Sequence, residues 1–360
     1  MLKLRRLKYI PGATTSYESR KVQVTGRGTY IISLPRRWVK AHNISKGSEV
    51  YIEYLPDNSL RIVPKHKKVP TPRKASIFVN ELSDFGFLIR ELISYYVMGF
   101  DIISLEFSKS MRDHYNVLNM IKEFIDRRMI GVEVVEESSS SLVLQCLTEN
   151  TAMPVEASLK RMVRTVDYML LDVMESLQEV KHTILRNVVE RDDIVDRFYL
   201  FVVRQLNAVM LGILNPSTIG LSSYIEAASL RIAAKFIERV GDHAQVIARD
   251  MLRTPSRVPE CCIPKVREFL NIARDLFLGS TKALLRYDSD SAHKVIDKAL
   301  KVRGFEDEVL RGMVGCVEEV DQVLLLKRLT ESTRRIIEYS ADISELTINL
   351  CIARRRANMA

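Results

Sequence analysis

Beyond Pro154 apolar residues recur with a period of about 3.6, and this long helical pattern constrains the fold more than any other feature of the sequence. Turn signals interrupt the pattern at Asn215-Pro216, between Pro255 and Pro264, and between Gly312 and Gly315. The pattern predicts six helices, over residues 155–182, 187–213, 222–253, 264–287, 291–313 and 319–354. Because these helices fall into two sets of three, we expect an all-α tandem of three-helix bundles.

Two segments carry the repeat, LRIAAKFIERVGDHAQVIA at residues 230–248 and STRRIIEYSADISELTINL at 332–350. Each contains a Glu followed four residues later by an Asp, so that both carboxylates lie on one helix face. In the first repeat this face also carries Lys235, whereas the apolar residues lie on the opposite side. Spacing alone therefore favours a solvated face with salt bridges between neighbouring turns.

Residues 75–150 alternate between strand and helix patterns. We expect strands at 75–79, 102–107, 131–135 and 141–147, and helices at 84–98 and 111–128. The order βαβαββ predicts a small α/β domain. It contains no glycine-rich phosphate loop and no arrangement of catalytic nucleophiles, so both a spacer role and a ligand-sensing role are open.

The N-terminal residues 20–65 predict a ββαββ unit. The expected strands cover residues 20–25, 29–34, 49–55 and 60–63, and the helix has the sequence RRWVKAH. So small a sheet unit cannot bury enough apolar surface alone, and its strands would have open edges. We therefore expect it to form a homodimer.

Charge is distributed unevenly along the chain. Residues 1–74 contain 17 Lys and Arg against 4 Asp and Glu, a net charge of +13, whereas the whole chain carries +9, which leaves −4 for the remainder. A basic surface at one end attracts polyanions, and nucleic acid is the expected partner. A solubilising or anionic-lipid-binding surface is the alternative.

No secretory signal or membrane span is expected, because no apolar segment follows the basic N-terminus and the longest apolar stretch, 199–214, is short and contains Arg204. Five cysteines form no C-x-x-C pair and no zinc spacing, which is typical of small buried residues in a reducing compartment. A cytoplasmic location is predicted. The adjacent Cys261 and Cys262 leave a redox role open.

The motifs GRGTYIISLPRRWV and KGSEV, with the strands around them, resemble the SpoVT/AbrB family. The resemblance implies a swapped-hairpin β-barrel, formed by a homodimer, whose basic loops bind double-stranded DNA. Arginine suits this role because its guanidinium group can donate two hydrogen bonds to a phosphate or a base edge. The candidate DNA-binding residues are Arg20, Lys21, Arg27, Arg36, Arg37 and Lys40.

The segment LRIAAKFIERVGDHAQVIA looks like the signature helix of the PhoU family, and ERDDIVDRF at 190–198 resembles its second-helix pattern. The family implies a surface metal site built from Glu238 and Asp242, joined by Asp193 or Asp196, with Glu190 as a further candidate. Carboxylate oxygens suit hard or borderline cations, so iron, Mg, Mn or Zn is the expected cofactor. The second repeat departs from the pattern, and Asp307 is its candidate partner for Glu338 and Asp342.

The resemblances imply four regions: 1–66, a SpoVT/AbrB-like domain; 67–74, a basic linker; 75–150, the α/β domain; and 155–360, the PhoU-like bundles. The leading hypothesis is a DNA-binding regulator of phosphate uptake whose helical module senses a metal, phosphate status or a partner. The alternative is an adaptor that docks on a phosphate transporter or sensor kinase. No catalysis is predicted, because the acidic pairs point away from the apolar side, unlike those of ferritin-like enzymes.

Overall fold

The chain divides after Thr71 into two compact units in its computed structural model. The residues that the structure describes are 18–26, 28–54, 58–65, 72–80, 84–108, 114–254, 257–312, 316–317 and 319–357. Most of the predicted linker 67–74 lies outside these residues.

The N-terminal unit consists of two antiparallel hairpins and one short helix. Strand β1 (Gln23–Thr25) pairs with β2 (Thr29–Ile31), and β3 (Val50–Tyr54) pairs with β4 (Leu60–Pro64). Helix α1 (Arg36–Ala41) lies between the hairpins in sequence. The strand-rich character predicted for this region is confirmed, and closure of the hairpins into a barrel with a second chain stays a prediction.

The hairpins have no core of their own: none of the described residues between 18 and 65 is buried. Large apolar side chains are instead exposed on all four strands. Tyr54 is 84% exposed, Tyr30 76% and Val24 60%. An isolated two-stranded hairpin is at best marginally stable in water, so this unit needs a partner surface to cover these side chains.

The second unit begins with a two-layer α/β domain. The elements are β5 (Lys74–Val79), α2 (Phe85–Val97), β6 (Ile102–Phe107), α3 (His114–Arg128), β7 (Val132–Glu137) and β8 (Ser141–Cys146), in the predicted order βαβαββ. They form a four-stranded sheet of order β5-β6-β8-β7, in which only β5 and β6 pair in parallel. Alternating residues of β6 and β8 are buried, so one face of the sheet packs against a core.

The helical module follows directly. Its helices are α4 (Val155–Glu175), α5 (His182–Met210), α6 (Tyr224–Arg253), α7 (Ile263–Arg286), α8 (Ser289–Lys301), α9 (Phe305–Arg311) and α10 (Val320–Ala357), with short 3-10 helices at Pro216–Ile219 and Glu260–Cys262. The helical C-terminal region is confirmed. The prediction of one helix over 291–313 is wrong: the chain turns at 302–304, where Gly304 disfavours helix, and two helices result.

One continuous apolar core joins both halves of the helical module. Helix α6 packs against α4, α5 and α10, and α10 also packs against α7 and α8. Side-chain caps help to define where helices begin: Ser223 accepts a hydrogen bond from the backbone N–H of Glu226 at the start of α6. The two central helices, α6 and α10, are the ones that carry the repeated Glu-x-x-x-Asp pairs.

Helix α5 is buried on two sides, against the bundle and against helices α2 and α3 of the α/β domain. Every residue from Leu200 to Val209 is buried, including Arg204, Gln205 and Asn207. The guanidinium group of Arg204 donates to the carbonyl oxygens of Tyr96 (2.6 Å) and Phe100 (2.9 Å). This double burial explains the apolar stretch at 199–214, because a helix covered on both sides has no solvated face.

Among the described helices, none is both long enough and apolar enough to cross a bilayer.

Replacing Arg204 by Met should destabilise the second unit by about 3 kcal/mol, because it removes two charge-assisted hydrogen bonds from a buried position, to the carbonyl oxygens of Tyr96 and Phe100. Arg186→Met is the matched control, since Arg186 is exposed on the same helix. Urea unfolding of the full-length chain, followed by near-ultraviolet circular dichroism, measures both changes. Equal losses in the two variants would contradict an anchoring role for Arg204.

Candidate functional site

Four carboxylates converge where α5 packs against α6. Asp192 and Asp196 lie one turn apart on α5, and Glu238 and Asp242 lie one turn apart on α6. The helices run antiparallel, since Gln245 near the end of α6 contacts Asp192 on α5, whereas residues earlier on α6 contact residues later on α5. Oxygen atoms of Asp192, Asp196 and Asp242 all lie within 4.8 Å of one another. We call these four residues the acidic cluster.

The acidic cluster is largely shielded from water. Asp192 is 3% exposed, Glu238 6% and Asp196 9%. The expectation of a solvated face is therefore wrong for Glu238, because α6 turns this face toward α5 instead of toward solvent. One oxygen of Asp192, Oδ1, and one of Glu238, Oε2, are buried without a hydrogen-bond donor. Buried carboxylate oxygens of this kind normally find a donor or a cation.

Crowding and burial disfavour the ionised carboxylates. Burial raises the pKa of Asp192 to about 7, and the charges of Asp196 and Asp242 contribute to this rise. Burial, together with the charges of Asp242 and Asp196, likewise raises the pKa of Glu238 to about 7. Burial also raises the pKa of Asp196. A positive charge close to the cluster would therefore stabilise the ionised carboxylates.

Side-chain cations pair with several of these carboxylates. Arg128, the last residue of α3 in the α/β domain, donates to Asp193 Oδ1 (Nε, 2.8 Å) and to Asp196. On α6 itself, Lys235 pairs with Glu238 at 2.5 Å, and Arg239 pairs with Asp242 at 3.2 Å. Asp192 takes part in none of the ion pairs found among the described residues. Its Oδ2 atom accepts a hydrogen bond from the side-chain amide of Gln245.

The donor set fits a hard cation. All the converging ligand atoms are carboxylate oxygens, which Mg²⁺ and Mn²⁺ prefer, and no described sulfur lies among them. Asp192 Oδ1 and Glu238 Oε2 accept no hydrogen bond, so each has lone pairs that a bound cation could use. Of the candidates inferred from the sequence, Asp196, Glu238 and Asp242 are brought together here. Asp193 is held by Arg128 beside the cluster, and Glu190 is exposed.

Sequence reasoning missed Asp192. A signal was available, since Asp192 and Asp196 have the same four-residue spacing as Glu238 and Asp242. The choice between Asp192 and Asp193 depends on which side of α5 faces α6, and adjacent residues point about 100° apart on a helix.

The second repeat has a different electrostatic arrangement. Glu338 on α10 is 44% exposed at its side chain and is paired with Arg334 and Arg335. Arg334 also pairs with Glu306 of α9 at 2.7 Å. Asp342 lies near Glu338 and Glu345, whose charges add to burial in raising its pKa. Asp307 is exposed, and Glu306, not Asp307, is linked to Glu338 through Arg334. Arginines thus pair with Glu306 and Glu338 in this repeat.

The candidate DNA-binding residues lie on the N-terminal unit. Arg36, Arg37 and Lys40 are exposed on α1, which has no acidic residue in its first turn. Lys21 is exposed just before β1, and Arg20 beside it is half-buried and paired with Glu18. Arg27 lies outside the described residues. The helix therefore presents three cations whose charge is available to a polyanion.

Comparison with known families gives two matches. The PhoU domain family matches residues 159–251, which contain the whole acidic cluster. The family described as antidote-toxin recognition MazE, bacterial antitoxin, matches residues 23–69. Comparison with curated proteins gives no match.

The solved structures that are similar to the chain include two PhoU proteins. PhoU from Pseudomonas aeruginosa is 21% identical with a TM-score of 0.48, and the match covers 54% of this chain and 94% of that one. The phosphate transport system regulatory protein PhoU from Streptococcus pneumoniae is 15% identical with a TM-score of 0.45, and the match covers 54% of this chain and 92% of that one.

The chain therefore carries a PhoU domain in its helical module and a MazE/AbrB-like domain at its N-terminus. Both resemblances drawn from the sequence motifs are confirmed. The second helical repeat lies outside the matched residues, in keeping with its altered acidic pattern.

Asp192→Asn should raise the free energy of unfolding by about 1–3 kcal/mol at pH 8 in a buffer free of divalent cations. The folded-state pKa of Asp192 is raised to about 7. Stability is therefore lost as the pH rises from the ordinary Asp pKa of about 4 through the folded-state value, the whole loss is present at pH 8, and the amide removes this cost. Urea unfolding measures the change, with the exposed Glu190→Gln on the same helix as control. A loss of stability in Asp192→Asn would contradict the electrostatic account.

Proposed function

We propose that this chain is a regulator of phosphate uptake that binds DNA through its N-terminal unit as a homodimer and binds a hard metal ion at the acidic cluster. The presence in one chain of a PhoU domain and a basic MazE/AbrB-like domain carries the proposal. The PhoU domain supports the link to phosphate control, and the second domain supports a response at the level of DNA.

Charge and exposure support DNA binding. The net charge of +13 over residues 1–74 gives this end of the chain a strong attraction for phosphate groups. The exposed cations of α1 are available to contact them. Arginine side chains at two adjacent positions, Arg36 and Arg37, can contact both the backbone and base edges, which is the combination that sequence-selective binding needs.

Exposed apolar surface supports the homodimer. The two hairpins leave Tyr30, Tyr51 and Tyr54 in solvent, with the apolar residues around them. A second copy of the same unit offers matching apolar strands and would remove the open edges. Dimerisation also doubles the number of basic helices, so that two half-sites on a duplex can be contacted together.

The double variant Arg36→Ala/Arg37→Ala should weaken binding to duplexes from upstream of the chain's own gene and of phosphate-transport genes. The slope of log Kd against log salt concentration should decrease by about one for each phosphate group that the variant no longer neutralises. Fluorescence anisotropy measures both the affinity and the slope. The control Lys294→Ala/Lys298→Ala removes the same charge from exposed positions on α8.

A scrambled duplex separates selective from general binding. If the wild-type chain binds all duplexes equally and weakly, or if both double variants weaken binding to the same extent, the N-terminal unit is not a sequence reader. The chain would then act as an adaptor for a phosphate transporter or sensor kinase, with its hairpins serving only to dimerise.

The acidic cluster supports metal binding. Asp192, Asp196 and Asp242 supply converging oxygens, and Glu238 lies beside them with one orphaned oxygen. A cation bound there would neutralise carboxylates whose ionisation burial opposes. The proposed role of the metal is regulatory, with no catalytic step.

Arg128 is the natural competitor for this cation, because its guanidinium group already neutralises Asp193 and Asp196. It comes from the α/β domain, whereas the carboxylates come from the bundle. Metal binding would therefore weaken one of the contacts that hold α3 on α5. This competition gives the α/β domain a means of responding to the metal state of the bundle.

Arg128→Gln should tighten Mn²⁺ binding by about tenfold or more, since one charge-assisted ion pair worth about 1.5 kcal/mol no longer competes. Isothermal titration calorimetry on the full-length chain measures the affinity. Arg127→Gln is the matched control: its side chain is 61% exposed and lies 3.8 Å from Asp193. An unchanged or weaker affinity in Arg128→Gln would show that the two cations do not compete.

A further inference from the structure

Three cysteines from two distant parts of the helical module meet at one point. Cys261 and Cys262 end the 3-10 helix that leads into α7, and Cys316 lies between α9 and α10. Cys261 and Cys316 form a disulfide across a sequence separation of 55 residues. The sequence spacing offers no sign of this cluster, because only the fold brings the third cysteine to the other two.

The third sulfur atom lies beside the disulfide. The Sγ atom of Cys262 is 3.6 Å from the Sγ atom of Cys261 and 4.0 Å from that of Cys316. Cys262 is 3% exposed, whereas Cys261 is exposed. Cys262 is therefore a free thiol held against both sulfurs of the bridge, with the exposed Cys261 leaving one side of the cluster open to solvent.

These distances suit a tetrahedral thiolate site. Zinc binds thiolate sulfur at about 2.3 Å, which places two sulfurs on the edge of a tetrahedron about 3.8 Å apart. The separations of 3.6 and 4.0 Å lie on either side of this value. The third separation, between the Sγ atoms of Cys261 and Cys316, is too short for such a site because these atoms are bonded to each other. Reduction breaks this bond and allows the two sulfurs to move apart.

We propose that reduction of the Cys261–Cys316 disulfide converts the three cysteines into a thiolate site for a soft divalent metal ion, Zn²⁺. A dithiol reductant transfers two electrons and two protons to the bridge, giving two protein thiols and the oxidised, cyclic disulfide of the reductant. Zinc then replaces the three thiol protons, and the fourth position is left to water or another ligand.

The disulfide and the metal thiolate exclude each other, because Cys261 and Cys316 cannot bind a metal as thiolates while they are bonded to one another. Both tie the start of α7 to the segment that leads into α10. The site is independent of the acidic cluster, whose oxygen donors select a different class of metal.

The test uses the full-length chain and Co²⁺ as a spectroscopic probe for Zn²⁺. After reduction with dithiothreitol and its anaerobic removal, one equivalent of Co²⁺ should produce a sulfur-to-cobalt charge-transfer band, which Zn²⁺ then abolishes by displacement. The oxidised chain should give no such band. Cobalt bound by carboxylates alone gives no sulfur band, so the readout separates this site from the acidic cluster.

Cysteine variants assign the ligands. The band should disappear in Cys261→Ser, a change at an exposed position that leaves the core intact, and in Cys262→Ser. It should persist in Cys351→Ser, which removes a buried cysteine elsewhere. Far-ultraviolet circular dichroism checks that each variant is folded. Absence of the band in the reduced wild-type chain, or its persistence in Cys261→Ser, would overturn the proposal.

Discussion

The burial of α5 on two sides determines how the second unit is arranged. Its C-terminal half is buried all round, and three polar side chains, Arg204, Gln205 and Asn207, donate hydrogen bonds to carbonyl oxygens of residues outside the bundle. These bonds are directional, so they fix both the position and the register of the α/β domain on the helix.

The same docking brings the end of α3 to the N-terminal half of α5, where Arg128 meets Asp193 and Asp196. The position of Arg128 beside the acidic cluster thus depends on contacts made by the other half of the same helix.

The two repeats resolve the same electrostatic problem in different ways. In the first, burial excludes most of the water, and side-chain cations pair with Asp196, Glu238 and Asp242 but not with Asp192 among the ion pairs of the described residues. In the second, Arg334 and Arg335 already accompany Glu338, which stays half in solvent. Ion pairs that are exposed to water contribute little to the free energy of unfolding. Burial makes the ionised state of the first set of carboxylates costly, whereas Glu338 is partly solvated and paired.

Much of this architecture could be predicted from the sequence. The apolar period placed most helices within a few residues, and the βαβαββ order of residues 75–150 followed from alternating patterns. Local patterns could not reveal contacts between distant segments. The exposure of Glu238 was misjudged because helix periodicity identifies a polar face without showing that another helix covers it. Asp192 was missed, and the meeting of Cys316 with Cys261 and Cys262 was invisible, for the same reason: each depends on packing between elements far apart in the chain.

The lack of a buried side chain in the described part of the N-terminal unit has a thermodynamic consequence. A unit that gains its core only by association has a folding free energy that includes the free energy of a bimolecular step. Each tenfold dilution of the chain then removes about 1.4 kcal/mol of that stability per dimer formed. The helical module, by contrast, has a continuous core built from one chain. If the N-terminal unit takes its core from a second copy, as proposed above, the concentration of the protein sets how much of that unit is folded.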